Sequence, residues 1–155
     1  MGQITYADKS AINENAGVAA TNKVQAADMN EIKSVVNAND SAFTNATTYS
    51  TNEVDTGLKW IDGKTIYRKV ITGSGAGTVS ISSLNVDKVF IDMAHSYIHW
   101  GRYTPIQATT TSATNPGNYM AGVYINSSKT SLTVEAGSSI NITDYIITLE
   151  YTKAS

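Results

Sequence analysis

The segment WIDGKTIYRK at residues 60–69, followed by Val70 and Ile71, has the pattern of a strand, a tight turn and a second strand. Asp62 and Gly63 separate the two halves, and an Asp-Gly pair is a strong signal for a two-residue type I′ turn. The pattern therefore predicts an antiparallel β-hairpin with strands at residues 58–61 and 65–71. From Gly57 onward the apolar residues recur with a period of about two, so we expect the chain to continue as strands.

Further strands are predicted between turn signals rich in Gly, Ser and Asn. They are expected at residues 78–82, 88–93, 97–102, 105–111, 120–125, 131–134 and 145–152, with turns at 73–77, 115–118, 126–129 and 136–139. The last strand alternates between an apolar face and a more polar one, formed by Tyr145, Ile147, Leu149 and Tyr151 and by Asp144, Ile146, Thr148 and Glu150. This alternation is typical of a half-buried antiparallel strand. About eight strands at this spacing favour an antiparallel, jelly-roll-like β-sandwich.

Residues 26–43 have a different, helical periodicity. The spacings are 3, 4, 3 and 4 between Met29, Ile32, Val36, Asn39 and Phe43. This is the a/d spacing of a coiled coil, although it extends over only about two heptads. An amphipathic helix that packs on its own domain is the alternative. Little else in the N-terminal half offers a docking surface, and so short a helix is marginal alone. We therefore expect this seam to associate with copies of itself, with Asn39 setting register and copy number.

The chain divides into four parts by composition: an arm at residues 1–25, a coiled-coil helix at 26–45, a linker at 46–56 and a β-sandwich domain at 57–155. Large apolar residues are widely spaced in the arm, at Ile4, Tyr6, Ile12 and Val18. So few cannot build a core, and the arm is therefore either disordered or ordered by a partner. Residues 46–56 are rich in Thr, Ser and Asn, and we interpret them as a linker or an extended strap.

Composition excludes several classes of protein. The chain has no cysteine, so neither a disulfide framework nor a thiolate metal site is available. Its net charge is −2 at pH 7 and its Lys and Arg residues are not clustered, whereas duplex nucleic-acid binding needs a basic face. No apolar run suits a transmembrane helix, and the N-terminus lacks the pattern of a signal peptide. We expect synthesis in a cytoplasm, no membrane insertion and no nucleic-acid partner.

Three regions, in order along the chain, resemble the virion fibre proteins of tailed bacteriophages. They are ITYADKSAIN at residues 4–13 with NKVQAADMNEIKSVVNAN at 22–39, the hairpin WIDGKTIYRKVI at 60–71, and the terminal ITLEYTK at 147–153. The resemblance covers the arm, the helix and both ends of the β-domain, and it leaves residues 73–143 unmatched. Gln25 stands where the family tends to have Thr, which is the better helix N-cap.

This resemblance implies a structural protein of the virion surface, made in the host cytoplasm, and no enzyme. In that family the arm anchors the fibre to the capsid or to other virion proteins, which here assigns anchoring to Ile4, Tyr6, Ile12 and Val18. The helix resembles a trimeric coiled coil formed through the five seam residues, so the expected partner is a homotrimer. The β-domain would then be distal and serve attachment to the host surface or a bacterial glycan.

The position of such a fibre on the particle has two alternatives. The short chain favours a head fibre or spike that decorates the capsid. A tail or baseplate receptor-binding fibre protein has the same build and shares the same motifs. A free carbohydrate-binding module or small glycan hydrolase is the alternative from another class.

No motif for catalysis is present. The sequence lacks a Ser-centred nucleophile elbow, an HExxH pair and a Walker loop. The glycine-rich residues 73–77 are predicted to form a hairpin loop, because no helix follows that could present its N-terminus to a phosphate. Carboxylates are present, but the sequence does not pair any of them across a scissile bond. We therefore expect no catalytic residue and no cofactor.

The two histidines, His95 and His99, would share one face if both lay on one strand. With a third ligand they could hold a metal ion. Surface or subunit-contact histidines are the favoured interpretation, because short motifs often match by chance. No metal site is therefore predicted.

One aromatic cluster is the candidate ligand surface, formed by Tyr97, His99, Trp100, Arg102 and Tyr103. Tyr and Trp combine an apolar face with a polar tip, which suits stacking on sugar rings or contact with a protein. The alternative is that Tyr97 and Trp100 fill the core or the subunit axis, and we favour it for Trp100. Tyr103, which we expect in a loop, is the better exposed candidate.

Overall fold

A computed structural model describes residues 26–105, 107–108 and 121–155 of the chain. The chain divides after Thr47 into two compact units, the second being Thr48–Ser155. Within the described residues, the prediction of a mainly β fold with antiparallel sheets and one α-helix is confirmed. The predicted anchoring residues Ile4, Tyr6, Ile12 and Val18 lie outside the described residues, as do the predicted arm at 1–25 and the turn at 115–118.

The helix α1 spans Ala26–Thr47 and has no buried residue. Asp28 lies in its first turn, where a negative charge is favourable to the helix dipole. At the other end, the hydroxyl of Thr47 donates to the carbonyl oxygens of Phe43 at 2.9 Å and Thr44 at 3.2 Å. Such bonds from a Thr hydroxyl back to the preceding turn are common in helices. The helix extends two residues past its predicted end at residue 45.

Ten strands follow within the described residues. In chain order they are β1 Val54–Lys59, β2 Thr65–Gly73, β3 Gly77–Ser80, β4 Val86–Ile91, β5 Tyr97–His99, β6 Tyr103–Pro105, β7 Gln107–Ala108, β8 Ala121–Ile125, β9 Ser131–Ala136 and β10 Asp144–Lys153.

The first sheet is organised around β10. Its strand order is β1-β2-β10-β5-β6, and β4 also pairs with β10. One edge of β10 pairs with β2, while the other edge is shared by β5 near its start and by β4 near its end. All of these pairs are antiparallel. The C-terminal strand is therefore the central element of the sheet.

The second sheet has the order β3-β9-β8-β7. The first two pairings are antiparallel and the β7–β8 pairing is parallel. The connection from β2 to β3 therefore passes from one sheet to the other. The predicted hairpin loop at residues 73–77 is wrong, because a hairpin requires that the two flanking strands pair with each other. Gly75 supplies a left-handed conformation in this connection, with φ +70°.

The core contains residues from both sheets. Its buried members are Ile71, Ile81, Leu84, Ile98, Val123, Leu132, Val134, Ile142, Tyr145, Ile147, Leu149 and Tyr151. Four of these alternate along β10, which confirms the predicted apolar face of that strand. Thr148, on the opposite face, is also fully buried. Its hydroxyl donates to the carbonyl of His95 at 2.7 Å and its amide donates to Ser96 Oγ at 2.8 Å, so the turn at 93–96 covers this part of the second face.

The first hairpin differs from its prediction. The amide of Trp60 donates to the carbonyl of Lys64 and the amide of Gly63 donates to the carbonyl of Trp60, both at 2.8 Å. These bonds enclose a three-residue loop, Ile61 to Gly63. Only Gly63 in this loop has a positive φ, at +83°. A type I′ turn needs two such residues, so that prediction is wrong; the pattern is that of a turn followed by a glycine bulge.

One predicted strand ends earlier than expected, and another is divided into two short strands. The strand predicted at 97–102 ends at His99, because Gly101 turns the chain with φ +78° and the amide of Trp100 donates to the carbonyl of Arg102 at 3.1 Å. The strand predicted at 105–111 corresponds to the short β6 and β7, which belong to different sheets, and its residues 109–111 lie outside the described ones. Tyr103 is therefore the first residue of β6 and does not lie in a loop.

Residues 48–53 contact the first sheet through backbone and side chains. The carbonyl of Ser50 accepts from the amide of Val70 at 2.8 Å. The carboxylate of Glu53 accepts from Tyr151 Oη and from Lys153 Nζ, each at 2.5 Å. Burial raises the pKa of Glu53, but the bonds from Lys153 and Tyr151 outweigh burial and hold that pKa below its usual value. The pKa of Tyr151 is raised by burial and by the neighbouring Glu53 carboxylate. This segment lies as a strap along the sheet.

Candidate ligand surface

The candidate ligand surface is built where β5 lies between β10 and β6. His99 is directly opposite Asp144 on β10 and opposite Tyr103 on β6. Side chains at directly opposite positions project from the same face of a sheet, and so do side chains two positions apart on one strand. Tyr97, His99, Tyr103 and Asp144 therefore share one face. Ile98, between the two β5 residues, belongs to the buried core on the other face.

The Tyr103 ring on this face contacts the rings of both Tyr97 and His99. The His99 and Tyr103 rings are stacked, with centroids 4.4 Å apart and an interplanar angle of 10°. The Tyr97 and Tyr103 rings meet edge to face, at 5.1 Å and 79°. Tyr103 is nevertheless 69% exposed, whereas Tyr97 and His99 are half-buried. The two inner rings therefore hold the outer ring in a fixed orientation while leaving most of it accessible.

A carboxylate completes the face. His99 Nδ1 lies 2.9 Å from Asp144 Oδ2, with the Asp144 side chain 44% exposed. Burial and a hydrogen bond to Asp144 raise the pKa of Tyr97, so its hydroxyl stays protonated as a donor. A carboxylate has about four acceptor positions, so two donors leave capacity for a ligand. Chemically, the face combines an aromatic plane with a hydrogen-bond acceptor.

Trp100 and Arg102, the other two predicted residues, form a separate pair. Trp100 is half-buried and packs against the core. Its indole Nε1 donates to Thr104 Oγ1 at 3.1 Å, and Thr104 in turn donates to the carbonyl of Ile98 at 3.0 Å. The guanidinium of Arg102 lies 4.8 Å from the centre of the Trp100 ring. Trp100 therefore acts as a packing residue of the β-domain and not as part of the ligand face.

Asp144 was not among the residues that the sequence selected for this surface. The available signal was the alternation of the last strand, which places Asp144 on the face opposite the core. Nothing local indicates that Asp144 pairs with His99, because the two residues are 45 positions apart in the chain.

The two histidines do not share a strand. His95 lies in the short 3-10 turn Met93–His95, and β5 begins only at Tyr97. His95 Nδ1 lies 2.7 Å from Asp92 Oδ2 and 3.0 Å from the hydroxyl of Tyr49. Each histidine therefore has its own aspartate. Across the part of the chain that the structure describes, no group of three or more His, Asp or Glu residues is arranged to hold a metal ion.

Comparison with protein-family models, with curated proteins and with solved structures finds no match for this chain. Among the described residues, no helix combines the length and the apolar character needed to cross a bilayer.

Proposed function

We propose that this chain is a structural virion protein of a tailed bacteriophage: a homotrimeric head fibre or spike. Residues 1–25 anchor it to the capsid, α1 forms a trimeric coiled coil, and the strands form a β-sandwich that is displayed for attachment to the host surface. The observation that carries this proposal is the exposed apolar stripe of α1.

The apolar side chains of this stripe are exposed along the length of α1. None of the 22 residues of α1 is buried. Its large apolar side chains are 40% to 67% exposed, namely Met29, Ile32, Val35, Val36 and Phe43. Helices in proteins obtain most of their stability from packing of such a face, so a helix with this stripe requires a partner. Copies of the same helix provide one, because the a/d spacing makes the stripe complementary to itself. Val35 broadens the stripe beyond the a/d positions, which favours more than one neighbouring helix.

A second observation behind the proposal comes from the β-domain. The hairpin segment and the terminal segment, which carry the resemblance, pair with each other as β2 and β10. Arg68 and Glu150 form a buried ion pair between these strands, and the Tyr67 and Tyr151 rings stack with centroids 6.1 Å apart. The two segments therefore form one structural unit, which gives a physical reason for their joint occurrence.

The oligomer is tested with the double substitution Ile32→Asp, Val36→Asp. We expect sedimentation analysis to find the unsubstituted chain as a trimer and the double variant as a monomer, because three copies would bring charged groups together in an apolar seam. The matched control is Ser34→Asp, Ala38→Asp, which adds the same charges at exposed positions on the opposite side of α1. The control should remain a trimer. A trimeric double variant, or a monomeric unsubstituted chain, contradicts the coiled coil.

The position on the particle is tested by immunogold electron microscopy of intact virions with antibody against residues 57–155. We expect gold over the capsid surface. Gold at the tail or its tip supports the tail or baseplate receptor-binding protein in place of the head fibre. Absence of gold from every particle contradicts both and leaves the free carbohydrate-binding module, which the exposed Tyr103 beside Asp144 favours.

A further inference from the structure

We propose that the face formed by Tyr103, His99 and Asp144 is a binding subsite for a neutral glycan, in which a pyranose ring stacks on Tyr103 and glycan hydroxyls donate to Asp144. This inference rests on the attachment role proposed above, for which it names the ligand class and the residues. The aromatic rings and the carboxylate lie entirely within the β-domain, so their arrangement does not depend on whether the chain forms a trimer or is anchored to a virion.

The aromatic plane is open on one side and held on the other. His99 covers one face of the Tyr103 ring by parallel stacking. Because Tyr103 is 69% exposed, the edge contact from Tyr97 cannot also cover the second face. A fixed aromatic ring loses little conformational entropy when a ligand stacks on it. The apolar face of a pyranose ring, made of its C–H groups, matches such a plane in size and polarity.

The carboxylate selects the chemistry of the ligand. Asp144 accepts from His99 and from Tyr97, and its side chain is 44% exposed, so oxygen lone pairs face solvent beside the ring. Sugar hydroxyls are donors that can fill these positions, and hydrogen bonds to a charged acceptor are stronger than neutral ones. A uronic or sulfated sugar would bring a second negative charge to the same place, which is unfavourable. A neutral glycan therefore fits better than an acidic one.

The positive charge of Arg102 does not reverse the preference for a neutral glycan over an acidic one. Its guanidinium lies over the Trp100 ring, in the loop that joins β5 to β6, and Trp100 packs against the core and not on the Tyr103 face. The same exposed tyrosine could instead contact a second copy of this chain. The acceptor beside it makes a ligand rich in hydroxyl donors the better match, and self-association is a distinguishable outcome of the test.

The test measures binding of the full chain to immobilised neutral oligosaccharides of glucose, galactose and N-acetylglucosamine, with an oligogalacturonate as the acidic probe. We expect binding to at least one neutral probe and none to the acidic probe. Tyr103→Ala should weaken neutral-glycan binding about tenfold or more, as expected for removal of a stacking anchor. Asp144→Asn, which keeps the shape and removes the charge, should weaken it to a lesser extent.

The matched control is Ile61→Ala, which truncates a side chain that is 97% exposed in the loop between β1 and β2. It should bind as the unsubstituted chain does. Circular dichroism of Tyr103→Ala should match that of the unsubstituted chain, because the residue lies at the surface.

Three results overturn the subsite: no binding to any neutral probe, equal binding by Tyr103→Ala, or a Tyr103-dependent change in self-association without glycan binding. Each is independent of the sedimentation and labelling experiments. If the chain is a trimer on the capsid but binds no glycan, only the glycan subsite is refuted. If the chain is a monomer that binds glycan through Tyr103, only the proposed trimeric fibre is refuted.

Discussion

Replacement of Arg68 by alanine is expected to lower the free energy of unfolding of the β-domain by about 3–5 kcal/mol, the range for breaking a buried ion pair. Arg68 is 5% exposed, and its Nε and Nη2 donate to the same oxygen of Glu150 at 2.8 and 2.5 Å. Its Nη1 also donates to the carbonyl of Thr48 at 3.2 Å. The substitution leaves the Glu150 carboxylate in a largely dry site without its cation. It also removes the hydrogen bond that holds the carbonyl of Thr48, in the strap at residues 48–53.

The measurement is urea unfolding of the full chain followed by circular dichroism. Lys64→Ala is the control, because it removes a cation from the more exposed pair with Asp87 and should shift the midpoint much less. Replacing both members of the buried pair, as Arg68→Met with Glu150→Leu, should destabilise less than Arg68→Met alone, since no unpaired charge remains. Equal shifts for Arg68→Ala and Lys64→Ala contradict the burial of this pair.

The second large effect is expected at Ile147, where replacement by alanine should lower the free energy of unfolding by about 2–5 kcal/mol. Ile147 is fully buried in the core, on the central strand of the first sheet. Truncation removes apolar contacts and leaves a cavity that the surrounding core residues cannot easily fill.

Its control is the adjacent residue on the same strand. Ile146 points to the opposite face, where it is half-buried opposite Tyr97. Ile146→Ala should therefore destabilise the domain clearly less than Ile147→Ala when both are unfolded in urea. Comparable losses at the two positions contradict the assignment of the two faces of β10.

Local patterns predicted the elements whose signal is periodic. The alternation of Tyr145, Ile147, Leu149 and Tyr151 identified the core face of β10, and the seam spacing identified the region of α1. The hairpin between β1 and β2 was predicted as well, although its loop was not. Asp-Gly occurs both in a two-residue turn and at the end of a three-residue loop, and the choice depends on the pairing of Trp60 with Lys64.

The spacing of apolar residues indicates which face of a strand or helix each side chain lies on, because the direction of a side chain follows from the backbone conformation of its own residue. They carry no such information about which strand becomes a neighbour. The passage of the chain from one sheet to the other after Gly73, the parallel β7–β8 pair and the meeting of Asp144 with His99 all arise from pairing between distant segments. The amino-acid order alone thus established a helix with an apolar stripe and a series of strands with one core-facing side. The contact that joins the carboxylate to the aromatic rings came from the register of β10 against β5, which is set by packing of the whole core.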